Sequence, residues 1–517
     1  MQRLPAWALL LGACFVLGRP SSDAQSLELV VSVHPLRRTS EAEEGDEVHS
    51  SVVSVAVAAA LFISLMLALC VFYLVNHKAK DVRDTTWELL ANTLSIFVAV
   101  FWYQTLDSLF DLVFEEAAEE SKWARFFSGF AVMLTLYTCL QVAGFFLTGE
   151  NSAVYLKLLC TLGAHMCGFS FKECFLSLQF GLLSDSVFLS CIAVVVSIIL
   201  TLVLMNAAAV IRGKLSRRLS EEGRDRYEEN MIDAENDMGC LAISFLSVMV
   251  IMYAITGEPC SGELGMAEHP QSLTWAMFGS GVVFGCSTFI AVKIHLALGQ
   301  NSALSKRIIA ISLVFCGMSM AWSLLFFGWW EIVDSNLVSG KNTLVELMIL
   351  AVASSFFCGA VLVVASMAMA RWAPGSAAIE TSMTAVVKGL GLQMAFTWEQ
   401  CFDVAVEDIA DQFEDGMEMA FKSIASLAIS IFVLPAFVLY IIPRIMKQEE
   451  KLGAEFEEAE DAAAEKVTER ELEAAEKAAV EQASPPEEEV SRERAEPIDS
   501  ISQQRNSEPG QPIAVKI

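Results

Sequence analysis

Four side chains that can carry charge or strong hydrogen bonds stand where lipid is expected: Lys172, Glu173, Glu399 and Gln400. They belong to two matching stretches. Residues 169–175 read Phe-Ser-Phe-Lys-Glu-Cys-Phe and residues 396–402 read Phe-Thr-Trp-Glu-Gln-Cys-Phe, position for position at a separation of 227, with three identities. Both lie in long apolar runs. If the first run crosses a bilayer at 158–180, a rise of about 1.5 Å per residue puts Lys172 and Glu173 about 5 Å from its midplane. Glu399 and Gln400 fall at the same depth. A charged side chain there costs roughly 2.5–3.5 kcal/mol on the gentlest scale, so all four are expected to turn inward.

The sign change at one aligned position predicts an ion pair between Lys172 and Glu399, with Glu173 and Gln400 completing the network. His165 and Gln393 lie deeper along the same two runs, where a titratable imidazole could relay protons. Two readings of this intramembrane polar network stand side by side: a permeation or coupling site, and hydrogen bonds that hold helices together. Toward one end of the helices, Asp107, Asp111, Glu331, Asp403 and Glu407 accumulate. They read either as an acidic outer vestibule that concentrates cations or as solvated helix ends.

The elements that position these groups come from hydropathy. Hydrophobic residues make up 55% of the 517, and the mean hydropathy is +0.51. That places the chain among membrane proteins. Apolar runs long enough to span a bilayer fall near 52–76, 87–113, 126–148, 156–180, 186–211, 238–256, 272–297, 307–333, 344–370, 383–406 and 421–443. The expected fold is therefore all-α: a polytopic membrane protein with about 11 transmembrane helices, since lipid satisfies no backbone amide.

The matching stretches fall in the fourth and tenth spans. An even offset makes the copies point the same way, so a parallel duplication of a five-helix unit is expected. A weaker match agrees, with Phe101-Trp102-Tyr103 in the second span and Met320-Ala321-Trp322 in the eighth about 220 residues apart. Gly163 and Met166 likewise lie 228 residues before Gly391 and Met394. In all four of these spans an aromatic ring precedes a polar or small residue: Tyr103-Gln104, Phe171-Lys172, Trp322-Ser323 and Trp398-Glu399. The expected layout is repeat 1 over 52–211, a basic loop plus linking helix over 212–271, and repeat 2 over 272–443.

The ends have their own signals. Arg3, the apolar run to Leu17 and Ser22-Asp23-Ala24 read as a signal peptide over 1–24, too short to span a membrane. An acidic lumenal or extracellular segment follows over 25–51. Basic residues such as Lys78, Lys80, Arg83, Arg217, Arg218 and Lys306 fall on one side of the spans. Glu115, Glu116, Glu258, Glu263 and Asp408 fall on the other. The positive-inside rule then puts the N-terminus outside and the C-terminus in the cytoplasm, in the secretory pathway or plasma membrane. From Gln448 to the end there are 8 Lys and Arg against 20 Asp and Glu. That acidity excludes nucleic acid as a partner and predicts an acidic cytoplasmic helix over 444–483 with coiled-coil character. A disordered tail over 484–517 completes a 448–517 segment able to dock a cytoplasmic protein.

Thirteen cysteines mostly sit in apolar runs and imply no disulfide framework. The chain carries no zinc-protease, nucleophile-elbow or P-loop motif, and its six His lack metal-ligand spacing, so no enzyme, metal or cofactor is expected. The functional expectation is a transporter or channel for small, cationic solutes or protons, embedded in the lipid bilayer. The alternative is a non-transporting scaffold or receptor that presents its acidic helical tail.

Overall fold

The computed structural model describes residues 62–63, 65–120, 122–149, 152–258, 270–298, 303–334, 343–372, 376–410 and 417–447, with scattered positions beyond 449. The chain divides into two units, Met1–Glu465 and Lys466–Ile517. Of the second only Leu472 is described, and every helix of the bundle belongs to the first. The expected signal peptide and the acidic segment 25–51 lie outside the described residues, as does the expected tail helix apart from residues 444–447, which are helical, and those scattered positions.

Among the described residues every regular element is helical. We number the helices in chain order: α1 Leu65–Val75, α2 Lys80–Glu120, α3 Lys122–Phe146, α4 Ala153–Leu176, α5 Val187–Leu215, α6 Glu221–Thr256, α7 Gln271–Leu298, α8 Ala303–Asp334, α9 Thr343–Trp372, α10 Ala377–Ala410 and α11 Met417–Ala436. Two widen at their ends. Helix α4 runs into a π turn at Ser177–Leu182 and α11, after Pro435, into another at Phe437–Ile441.

Nine of these helices, α2 to α9 and α11, are long and apolar enough to cross a membrane. The expected eleven are thus nine among the described residues. Helix α1, Leu65–Val75, is too short to cross, and most of the rest of the expected span 52–76 lies outside the described residues. Helix α10 is long enough, but Lys388, Gln393 and Glu399 lower its hydropathy below that of a lipid-facing span. Its surroundings explain how it tolerates them, because α2, α7, α8, α9 and α11 all pack against it. A helix screened from lipid by five neighbours can carry polar groups that an outer helix cannot.

The outer helices show the reverse. On α5, Val195, Ile199 and Val203 are exposed, as are Val283 on α7 and Ile431 on α11. Exposed aliphatic ridges of this kind suit acyl chains as solvent and would be a liability in water. The inner core gathers Phe169, Phe245, Met249, Trp322, Phe326 and Trp330 between α4, α6 and α8.

Within the bundle α2 packs on α4 as α8 packs on α10, and α3 packs on α4 as α9 packs on α10. Helix α6 lies against both α4 and α8, whereas α2 lies directly on α10. Helices α8 and α10 approach closely, with Gly317 and Gly389 meeting backbone to backbone.

Helix α6 begins earlier than its apolar run suggests. Ser220 caps it by accepting a hydrogen bond from the Gly223 amide at 3.2 Å, and Glu221 and Glu222 occupy its first turn. The stretch expected to be a basic loop up to residue 238 is therefore mostly helix. Gly257 ends it in the left-handed region at φ 77°.

Candidate functional site

The two matching stretches touch at equivalent residues. The Phe169 and Phe396 rings meet edge to face with centroids 5.3 Å apart. On one side Tyr103 lies 6.1 Å from Phe169, and on the other Trp322 lies 4.3 Å from Phe396. These four rings come from α2, α4, α10 and α8, and all are buried. Phe245 of α6 joins the layer through Trp322 at 4.8 Å.

Glu399 sits one turn beyond Phe396 and is 2% exposed. Its Oε1 accepts a hydrogen bond from Gln104 Nε2 of α2 at 2.7 Å. Its Oε2 accepts one from Gln400 Nε2 at 3.0 Å. Lys172 sits one turn beyond Phe169, but its ammonium pairs with Glu173 Oε1 at 2.8 Å. It also lies over the rings of Phe245 and Phe169, at 5.0 and 5.8 Å from their centroids. The direct Lys172–Glu399 bond expected from the sequence is not formed. The nearer carboxylate on the same helix captures the ammonium, and amides fill the place it would have taken at Glu399. Lys172 and Glu399 nonetheless hold equivalent places, each one turn beyond a member of the touching Phe169–Phe396 ring pair.

The deeper pair is not brought together. Gln393 is buried and faces α9, where Cys358 Sγ lies 3.9 Å from its Oε1. His165 is buried in α4. No hydrogen bond joins His165 to Gln393.

The acids of the expected vestibule divide three ways. Asp107 accepts from the Tyr103 hydroxyl at 3.2 Å, one turn beyond Gln104. Helices α2 and α10 run parallel, since Gly391 faces Leu89–Thr93 while Glu399 reaches Gln104. Asp107 and Asp403 therefore lie on the same side of the Gln104–Glu399 bond. Glu331 lies farther along α8, half-buried, with Oε1 lacking a hydrogen-bond partner. The side chains of Asp111 and Glu407 lie outside the described residues.

A second polar cluster carries no sequence motif. Arg212 of α5 and Glu235 of α6 are 4% and 1% exposed and pair through two bonds, 2.5 and 3.2 Å long. Glu235 Oε1 also accepts from the Tyr137 hydroxyl at 2.8 Å and from Gln141 Nε2 at 3.1 Å. Arg307 of α8 approaches Oε2 at 3.6 Å. Arg212 is inconspicuous in sequence because it is the first residue beyond an apolar run. Glu235 is hidden in an acidic stretch that reads as a loop. The usable signal is helical spacing, because Tyr227, Met231 and Met238 share with Glu235 one buried face of α6.

These features define an integral, multi-pass membrane protein, helical throughout its described residues, in which the polar helix α10 is packed against five others. No family model, curated protein or solved structure matches the chain.

Proposed function

We propose that the protein is a transporter or channel for small cations or protons, with Glu399 as the group that receives them. One observation carries this reading: a carboxylate 2% exposed, on the central helix, is held by two amides rather than by a base. An ionised carboxylate taken out of water costs several kcal/mol unless a counter-charge meets it. Amide donors orient the oxygens but leave the charge in place. Among the described residues no Lys, Arg or His makes an ion pair with Glu399, so the chemistry that completes it is a mobile cation or a proton. Asp107 and Asp403, on the same side of the Gln104–Glu399 bond, form its approach.

The halves are best read as parallel repeats joined by α6. The Tyr103–Phe169–Phe396–Trp322 series supports this, because each half contributes one ring from each of two equivalent helices. The matched packing of α2 on α4 and of α8 on α10 supports it too. Helix α6 breaks the likeness by inserting between α4 and α8. In this reading the acidic ends of α2, α8 and α10 face outward, and the tail at 448–517 faces the cytoplasm and its partners.

The test uses purified full-length protein in liposomes with interior sodium, potassium and pH indicators. Wild type is expected to carry at least one of these ions. Glu399→Gln, isosteric and uncharged, is expected to reduce the flux at least tenfold while keeping the wild-type elution profile. Inert wild-type liposomes, or full flux in Glu399→Gln, would overturn the reading and leave the scaffold alternative.

A further inference from the structure

Lys172 and Glu399 hold corresponding places, each three residues beyond one member of the Phe169–Phe396 ring pair. The lysine has two carboxylates within reach of its charge. One is in contact, Glu173 Oε1 at 2.8 Å. The other is Glu399, one turn beyond Phe396, whose ring touches the Phe169 ring over which the ammonium lies. Between them the ammonium rests on the faces of Phe169 and Phe245, a surface that holds a cation without fixing its direction. A lysine stem has four flexible carbons, so its head group can take several directions from one backbone position. Glu399 meanwhile is kept by amides, which can stay in place whether or not a cation arrives.

We infer that Lys172 is a built-in competitor for the cation site, resting on Glu173 while Glu399 is available and swinging to Glu399 to close it. This rests on the cation reading of Glu399 and adds its regulation. Glu173 is then a positioning residue: its task is to hold the tethered ammonium away. The structure has the lysine in the resting position. The swing gives the site a self-neutralised state after the transported ion leaves, in which the tethered ammonium meets the buried carboxylate.

The inference predicts opposite effects from the two members of one salt bridge. Sodium, potassium and methylammonium chlorides are each titrated alone, and protons by pH steps, in liposomes of mixed zwitterionic and anionic phospholipid. Glu173→Gln removes the resting partner and biases Lys172 toward Glu399. It is expected to raise the half-saturating concentration of the transported ion about tenfold, because the competent fraction falls by that factor. Lys172→Met removes the competitor and is expected to lower that concentration. The double variant should match Lys172→Met, since Glu173 has nothing left to hold. A merely structural bridge would shift both single variants in one direction, with the double close to either single because all three lose the same bond, and that shared direction overturns the inference. Should Lys172→Met fail to assemble, Glu173→Gln decides alone: its side chain is 45% exposed, and an unchanged half-saturation overturns the inference. A wild type that moves no ion sinks the cation reading itself, an outcome distinct from same-direction shifts in an active protein.

Discussion

Replacing Glu235 with alanine is expected to destabilise the protein by about 3–5 kcal/mol, because it leaves Arg212 charged, buried and without a carboxylate. The guanidinium is 4% exposed, and its only other described acceptor is Gln141 Oε1 at 3.4 Å. The Tyr137 hydroxyl loses its acceptor in the same step, as does the Gln141 amide. Each stranded buried donor adds a desolvation cost of about 1–3 kcal/mol. Removing both charges is a different matter. Arg212→Met with Glu235→Leu leaves no unpaired ion, and buried pairs replaced by apolar groups of similar volume are often neutral or better. The double variant is therefore expected to recover most of the loss. Arg212→Lys should behave as a disruptive change, since an ammonium cannot reproduce two parallel bonds to one carboxylate. Unfolding in detergent micelles, followed by tryptophan fluorescence, measures all four proteins. Glu235→Ala within about 1 kcal/mol of wild type, or a double variant no better than the single, would show that the cluster is not the buried ionic tie described.

The contrast between the two polar clusters explains what could be read from sequence. Lys172, Glu173, Glu399 and Gln400 announce themselves because each interrupts an apolar run, and the match between the two stretches aligns them. Their depth relative to each other comes from counting residues. Their bonding does not, because it depends on which neighbour is nearer. Glu173 is one residue from Lys172, and Gln104 arrives from α2, whose contact with α10 no periodicity encodes. The Arg212–Glu235 tie is invisible for a related reason. Its members lie at the edges of apolar runs, where charge is normally solvated, and only the early start of α6 draws Glu235 inside. Helix α10 goes the other way: by length it reads as a span like its neighbours, and its polarity is intelligible only once five helices surround it.

That enclosure also sets the second large effect, at Gly389. A methyl group placed there would run into the carbonyl oxygen and carbon of Gly317 and would meet Met320 Cε at 3.0 Å. On Gly317 it would run into the Ala385 carbonyl. The obstacles are mainly backbone, and a helix backbone cannot yield as a side-chain tip does. Gly389→Ala must then push α8 and α10 apart, displacing Trp322 from Phe396 a turn or two away. Overpacking in a dense core costs about 1–3 kcal/mol even where side chains can adjust, so a loss at or above about 3 kcal/mol is expected here. Gly389→Leu should prevent assembly. Gly279 and Gly359 supply the control, because nothing lies within 4 Å of a methyl group added to either. Alanine there is expected to be neutral or to stabilise by up to about 1 kcal/mol through the lower helix propensity of glycine. The same unfolding measurement reads all of these variants. Equal effects at Gly389 and Gly359 would mean that the sensitivity belongs to glycine in any helix, and the backbone contact between α8 and α10 would lose its support. A selective loss at Gly389, accompanied by a changed tryptophan emission, would place the contact directly beneath the ring layer on which Lys172 and Glu399 depend.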